Sequence, residues 1–152
     1  MTISRIPMAA AALFALTGNA TSEALTFDLA RTQSCGCCLA YAKGLEESGH
    51  VVEVSDLPMA TLMQLKNELG VPAALAGCHT SKVGGYVIEG HVPAADVERL
   101  LGEAPDAVGL AVGGMPVGSP GMECGDRRDA YDVTLIHRDG STSVYNSYSA
   151  KD

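Results

Sequence analysis

The feature that most limits the possible folds is a cysteine run placed between two regular elements. Residues 34–38 read SCGCC, so three of the five cysteines of this 152-residue chain fall within four positions. The preceding segment LTFDLAR (25–31) alternates apolar and polar residues, which predicts a strand, and CCLAYAKGLEESG (37–49) has helical periodicity and ends in a glycine. The cysteines are therefore expected at a strand-to-helix junction, with their thiols at the N-terminus of the helix.

The segments that follow continue the alternation of strands and helices. HVVEV (50–54) predicts a second strand, and PMATLMQLKNELG (58–70) a second helix closed by a glycine. Two short extended stretches are expected at 73–79 and 86–90, and PAADVERLLGE (93–103) predicts a helix with a proline in its first turn. This β-α-β-α-β-β-α order, with cysteines at the start of its first helix, predicts a thioredoxin-like α/β fold.

The C-terminal third predicts a long loop followed by a β-hairpin. Glycine, proline and serine dominate residues 109–126, and residues 131–148 alternate around Asp139-Gly140, a pair typical of hairpin turns. A loop of that length inside a compact domain is usually functional or disordered. Because this one contains two methionines and a cysteine, a functional loop is favoured.

The N-terminal residues predict export from the cytoplasm. Arg5 is followed by an apolar run at 6–16 and by small residues at 18 and 20, the pattern of a secretory signal peptide. The run is too short to span a bilayer, and no later stretch approaches the roughly 20 apolar residues of a membrane helix. We therefore expect a signal peptide at 1–20 and a single soluble, periplasmic domain at 21–152. The net charge of −8 argues against nucleic acid as a partner.

The cysteine run admits a redox and a metal-binding interpretation. Five cysteines cannot all pair, and thiols at a helix N-terminus are favoured as thiolates, which attack disulfides and bind soft metals. Cys35 and Cys38 have the Cys-x-x-Cys spacing of thiol-disulfide oxidoreductases, in which Cys35 would attack and Cys38 would resolve. Cys37 is an extra thiol that such a catalyst does not need, whereas three clustered thiolates can bridge several Cu(I) ions. A buried disulfide with a spare thiol stays open as a third interpretation.

A second group of candidate ligands lies in the middle of the chain. Cys78 and His79 are a soft-ligand pair, although neighbouring residues of a regular strand face opposite sides, so joint ligation requires irregular backbone. His91 precedes a predicted helix and is a weaker candidate, because no cysteine lies near it in sequence. A structural zinc site with three cysteines and one histidine is a further alternative.

The methionines divide into two classes. Met115 and Met122 lie in the predicted long loop, and thioether sulfur suits Cu(I) but offers almost nothing to zinc. Met59 and Met63 instead lie on the apolar face of a predicted helix and are expected in the core. The loop methionines therefore favour copper over zinc.

Three motifs, SCGCC, GVPAALAGCHTSKVGGYVIEGHVPAADVERLL and GLAVGGMPVGSPGME, resemble the CopG family of periplasmic copper-resistance proteins, long labelled only as a domain of unknown function. The resemblance extends from about Leu25 to the final hairpin. It implies a thioredoxin-like fold, a cysteine-bridged copper cluster and a role in copper tolerance. Leu39, where a small or polar residue is more usual, and the additional Cys124 depart from the family pattern. The positions that match the family motifs are Cys35, Cys37, Cys38, Cys78, His79, Met115 and Met122.

The leading hypothesis is an exported protein that holds Cu(I), as several ions, on the three clustered cysteines together with Cys78 and His79. Met115, Met122 and His91 are additional candidate ligands. Weak thioether ligands would allow copper to exchange, so other periplasmic copper-handling proteins are expected partners. The sequence does not separate sequestration, relay and redox conversion of copper. The alternative is a periplasmic thiol-disulfide oxidoreductase.

Overall fold

The computed structural model describes residues 23–152, so the predicted signal peptide lies outside the described residues. Within them the chain has a mixed α/β fold with one seven-stranded sheet and three α-helices. None of the helices in this range is long and apolar enough to cross a membrane. In chain order the elements are β1 (Thr26–Arg31), α1 (Gly36–Glu47), β2 (Val51–Asp56), α2 (Met59–Glu68), β3 (His79–Val83), β4 (Tyr86–Glu89), α3 (Ala94–Glu103), β5 (Ala107–Ala111), β6 (Tyr131–His137) and β7 (Thr142–Tyr148).

The topology of the sheet brings two distant sequence motifs together. The strand order is β2-β1-β3-β4-β5-β6-β7, in which β1 is parallel to β2, β4 is parallel to β5, and the other neighbours are antiparallel. Arg31 at the end of β1 is paired with His79 at the start of β3. The cysteine run that follows β1 therefore lies at the same edge of the sheet as Cys78 and His79.

The first seven elements follow the predicted β-α-β-α-β-β-α order and the C-terminal hairpin is present, but one boundary was wrong and one strand, β5, was not predicted. Residues 73–79 were predicted as extended, whereas Ala73–Leu75 form a 3₁₀-helix and the strand begins only at His79. Residues 109–126 were predicted as loop from their start, whereas β5 continues to Ala111. Gly109 made the start of this segment look like a loop in the sequence. In the structure a Cβ at Gly109 would lie 1.8 Å from the Val87 carbonyl oxygen, so the close approach of β5 to β4 requires glycine there.

The prediction that Met59 and Met63 lie in the core was also wrong. Their side chains are 61 % and 37 % exposed, and the buried residues of α2 are Leu62 and Lys66. The helix is thus rotated so that a lysine, rather than a methionine, points into the protein. The Lys66 ammonium group lies 2.9 Å from the backbone carbonyl oxygen of His79.

The core lies between the sheet and the two helices α1 and α3. Apolar side chains from these helices and from five strands form one cluster, which holds these elements in fixed positions. Its fully buried members include Phe27, Leu29, Tyr41, Ile88, Val97, Leu100, Leu110 and Val133.

Candidate metal centre

The three cysteines of the SCGCC run meet at the N-terminus of α1. Cys35 is the N-cap residue, and its sulfur accepts a hydrogen bond from the Cys38 backbone N–H at 3.3 Å. Cys35 and Cys38 are joined by a disulfide bond, and the Cys37 sulfur lies 3.5 Å from that of Cys35. All three sulfur atoms lie within 4.8 Å of one another. The sequence prediction of a cysteine cluster at the helix start is confirmed.

A buried arginine shapes the loop that leads into the cluster. One terminal nitrogen of Arg31, at the end of β1, donates hydrogen bonds to the carbonyl oxygens of Thr32, Gln33 and Cys35 at 3.1–3.2 Å. Its other terminal nitrogen forms an ion pair with Asp56 at 2.9 Å. Because a single planar guanidinium bonds all three carbonyls, it fixes the backbone from which the first cysteine projects.

Cys78 extends the sulfur cluster towards the long loop. Its thiol donates a hydrogen bond to the Met115 sulfur at 3.6 Å. Burial raises the pKa of the Cys78 thiol, the nearby Cys37 raises it further, and the charge of Lys66 lowers it. Of the two loop methionines, Met115 is the one that contacts a cysteine sulfur among residues 23–152. Cys78 and Met115 thus add two soft sulfur atoms on the Cys37 side of the cluster.

His79 and His91 form a second, buried group beside Tyr41. Their ring centroids are 5.0 Å apart, and the Tyr41 ring stacks on His79 at 4.8 Å while its hydroxyl donates to the Val92 carbonyl. Burial, with the charges of His91 and Lys66, lowers the pKa of His79 to about 3, and burial also lowers that of His91. Both imidazoles are therefore neutral at pH 7.

Three of the four imidazole nitrogens of His79 and His91 have no hydrogen-bond partner among residues 23–152. Neither ring nitrogen of His79 has a hydrogen-bond partner within the part of the chain that the structure describes, and the same holds for Nε2 of His91. Nδ1 of His91 lies 2.8 Å from the Pro120 carbonyl oxygen, which can only accept, so this nitrogen carries the proton. The free lone pair of His91 is therefore on Nε2, the arrangement of a metal-ligating histidine whose other nitrogen bonds a carbonyl.

The long loop is folded onto α1 rather than extended into solvent. Gly121 has φ of +80°, and a Cβ there would lie 2.6 Å from the Tyr41 backbone nitrogen. Met122 is half-buried, and its N–H closes a turn on the Ser119 carbonyl at 2.8 Å. The glycine permits the close approach that places Pro120 against His91.

Sequence reasoning did not identify four residues around the site: Arg31, Tyr41, Lys66 and Glu89. Lys66 and Glu89 could have been suspected, because each is a charged residue among apolar ones. Lys66 occupies a buried position of a helix, and Glu89 lies in the strand segment YVIEG. Arg31 and Tyr41 left no such signal. Cys124 is exposed and lies in an isolated bridge with Arg127.

The comparisons with known proteins place the chain in a family. The model of a family described as "Protein of unknown function, DUF411" matches residues 75–122, which contain the second ligand group and both loop methionines. No curated protein matches the sequence. A solved structure of copper resistance protein CopG, form 1, is 46 % identical with a TM-score of 0.77, covering 84 % of this chain and 99 % of that one. The chain belongs to the CopG family.

A second CopG structure, form 2, agrees with this assignment: it is 48 % identical with a TM-score of 0.76, and the match covers 83 % of this chain and 99 % of that one. The resemblance to the CopG family predicted from the sequence motifs is confirmed. Because almost the whole CopG chain is matched, the likeness includes the fold as well as the short motifs.

Proposed function

We propose that this CopG-family chain is an exported protein that binds Cu(I) as a multi-copper thiolate cluster and serves copper tolerance. The observation that carries the proposal is the convergence of three cysteine sulfurs within 4.8 Å at a helix N-terminus. A helix N-terminus favours thiolates, and thiolates are the ligands that select Cu(I). The relatives support the proposal because they are copper resistance proteins by name.

The residues around the cluster fit copper better than zinc. Met115 contributes a thioether 3.6 Å from the Cys78 sulfur, and thioethers are soft ligands suited to Cu(I). His79 and His91 hold buried lone pairs without partners among residues 23–152, which is costly unless a ligand completes them. Cys37 and Cys38 are adjacent in sequence, so their side chains leave the backbone in different directions. A cluster of several sulfur-bridged ions can therefore be ligated by both cysteines more readily than a single ion can.

The disulfide links copper binding to the redox state of the protein. Reduction of the Cys35–Cys38 bond by an external dithiol, which supplies two electrons and two protons and is itself oxidised to a disulfide, yields two thiols, which with Cys37 complete the cluster. Copper binding then releases the thiol protons, because the thiolate is the ligand. We therefore expect Cu(I) to bind the reduced protein with higher stoichiometry than the disulfide form.

A thiol-disulfide oxidoreductase is the second candidate function, and the Cys35–Cys38 disulfide specifically favours it. The order β2-β1-β3-β4, with a parallel first pair and antiparallel neighbours, supports a thioredoxin-like assignment of this part of the sheet. Fold alone does not assign function. Cys37, Cys78 and the two histidines are superfluous to a dithiol catalyst, so copper binding accounts for more of the site.

Export is part of the proposal. The predicted signal peptide at residues 1–20 would deliver the domain to the periplasm, where copper ions and other copper-handling proteins would be its partners. Met122 is proposed as an additional ligand on the loop that already brings Met115 to Cys78.

Substitution of Cys37 by serine separates the two candidate functions. Cys37→Ser is expected to lower the number of Cu(I) ions bound per reduced chain, while the Cys35–Cys38 couple still forms and is reduced. Cys124→Ser is the matched control, because Cys124 is exposed and belongs to neither ligand group. Anaerobic Cu(I) titration with elemental analysis gives the stoichiometry, and unchanged copper capacity in Cys37→Ser would count against the cluster.

A further inference from the structure

A buried ion pair lies directly behind the Cys78-His79 segment. Lys66 of α2 and Glu89 of β4 are 1 % and 0 % exposed, and the Lys66 Nζ lies 2.5 Å from the Glu89 Oε1. Among the ion pairs of residues 23–152, this is the one in which both side chains are buried. The proposed copper ligands do not include either residue.

Both members of the pair also hold the backbone on either side of Cys78. The Lys66 Nζ donates to the His79 carbonyl oxygen at 2.9 Å, and the Glu89 Oε1 accepts from the Gly77 N–H at 2.6 Å. The regular pairing of β3 with β4 begins only after this segment, at Thr80 and Glu89. The ion pair thus adds to the contacts that His79 makes with Arg31 of β1 and with the Gly90 N–H, and it anchors Gly77, which lies before the strand.

Stability alone is a poor explanation for burying these charges. Removing two charges from water usually costs about as much as their attraction returns, and apolar replacements of similar size are often neutral or stabilising. The hydrogen bonds to residues 77 and 79 are what an apolar pair could not supply.

We infer that Lys66 and Glu89 are positioning residues that hold Cys78 and His79 in the geometry required for copper. The inference rests on the proposed copper-binding function. Neither side chain touches the metal: each acts through the backbone of the segment that carries the two ligands.

The test removes both charges together, so that no unpaired charge stays buried. Lys66→Met/Glu89→Leu abolishes both backbone contacts, and Lys66→Met/Glu89→Gln keeps an amide oxygen that can accept from Gly77. The control is Asp28→Asn/Lys82→Gln, which neutralises an exposed ion pair of 3.6 Å between β1 and β3. Thermal unfolding of each reduced protein is measured beside anaerobic Cu(I) titration against a chromophoric competitor, with thiolate-to-copper absorption in the near ultraviolet.

Lys66→Met/Glu89→Leu is expected to unfold near the wild-type temperature and yet bind Cu(I) about 10- to 100-fold more weakly, the usual effect of losing residues that orient ligands. Its near-ultraviolet copper absorption should change, the glutamine variant should be intermediate, and the control should match the wild type. A purely structural ion pair would not alter copper affinity at an unchanged unfolding temperature.

Wild-type affinity in a folded Lys66→Met/Glu89→Leu variant would overturn the inference and leave the proposed function intact. If that variant does not fold, Lys66→Met/Glu89→Gln decides in the same way: weakened copper binding supports the positioning role, and wild-type affinity overturns it. Absence of Cu(I) binding by the wild type would overturn the proposed function and, with it, this inference.

Discussion

The buried imidazole of His79 makes the stability of the copper-free protein depend on pH. Burial, with the charges of His91 and Lys66, lowers its pKa from 6.5 to about 3. As the pH falls below 6.5, the unfolded chain binds a proton at this histidine that the folded protein does not bind. Unfolding is therefore increasingly favoured down to about pH 3, whereas above pH 6.5 the contribution vanishes because both states are neutral.

The size of the effect follows from the two pKa values. Within that window each pH unit costs about 1.4 kcal/mol, so acidification from about pH 7.5 to about pH 4.5 removes about 2.6 kcal/mol of unfolding free energy through His79. Urea unfolding of the copper-free protein at these two pH values measures the total loss, to which carboxylates and His91 also contribute.

His79→Phe isolates the contribution of this histidine. Phenylalanine does not titrate and can occupy the same slot against the Tyr41 ring. The variant should therefore lose about 2.6 kcal/mol less than the wild type over the same pH interval. Equal losses in the two proteins would refute the assignment of His79 as a histidine held neutral by burial.

Two further predictions concern the supports of the site. Gly121→Ala should lower the unfolding free energy by about 1–3 kcal/mol or more, because alanine would have to adopt a positive φ and its Cβ would lie 2.6 Å from the α1 backbone. Gly125→Ala also requires a positive φ but meets open space, so it should cost less in the same urea experiment. Lys66→Met alone should cost about 3–5 kcal/mol because it leaves the Glu89 carboxylate buried without its cation, and Lys66→Met/Glu89→Leu should recover most of this in thermal unfolding. Equal costs for the two alanine variants, or no recovery in the double variant, would contradict these interpretations.

Much of the fold could be predicted because hydrophobic periodicity reports which face of an element is buried. The segment 25–31 alternates and forms β1, and the cysteine run lies at the start of α1 as its position after a strand predicts. β5 could not be predicted, because Gly109 resembles a loop residue and is required only by the close approach of β4. Glycine in a strand and glycine in a loop look alike in a single sequence.

The residues around the site were harder to predict from the sequence than the ligands themselves. The cysteines and the Cys78-His79 pair could be recognised as candidate ligands from residue type alone. Lys66 and Glu89 could not, because their role depends on the three-dimensional fold that makes them a buried ion pair. Met59 and Met63 were predicted in the core from their spacing, yet the buried residues of α2 are Leu62 and Lys66. Lys66 can be buried because its ammonium group bonds the Glu89 carboxylate and the His79 carbonyl oxygen. Tertiary pairing of this kind overrides local periodicity.

Copper content, measured directly on the protein from its expected compartment, tests the central claim. The mature protein would be purified without chelator from the periplasm of cells grown with added copper, and copper per chain and free thiols would be counted on one sample. We predict more than one copper ion per chain, with the cluster thiols protected from thiol reagents. Metal-free protein with a reducible Cys35–Cys38 disulfide would contradict the copper cluster and favour the oxidoreductase.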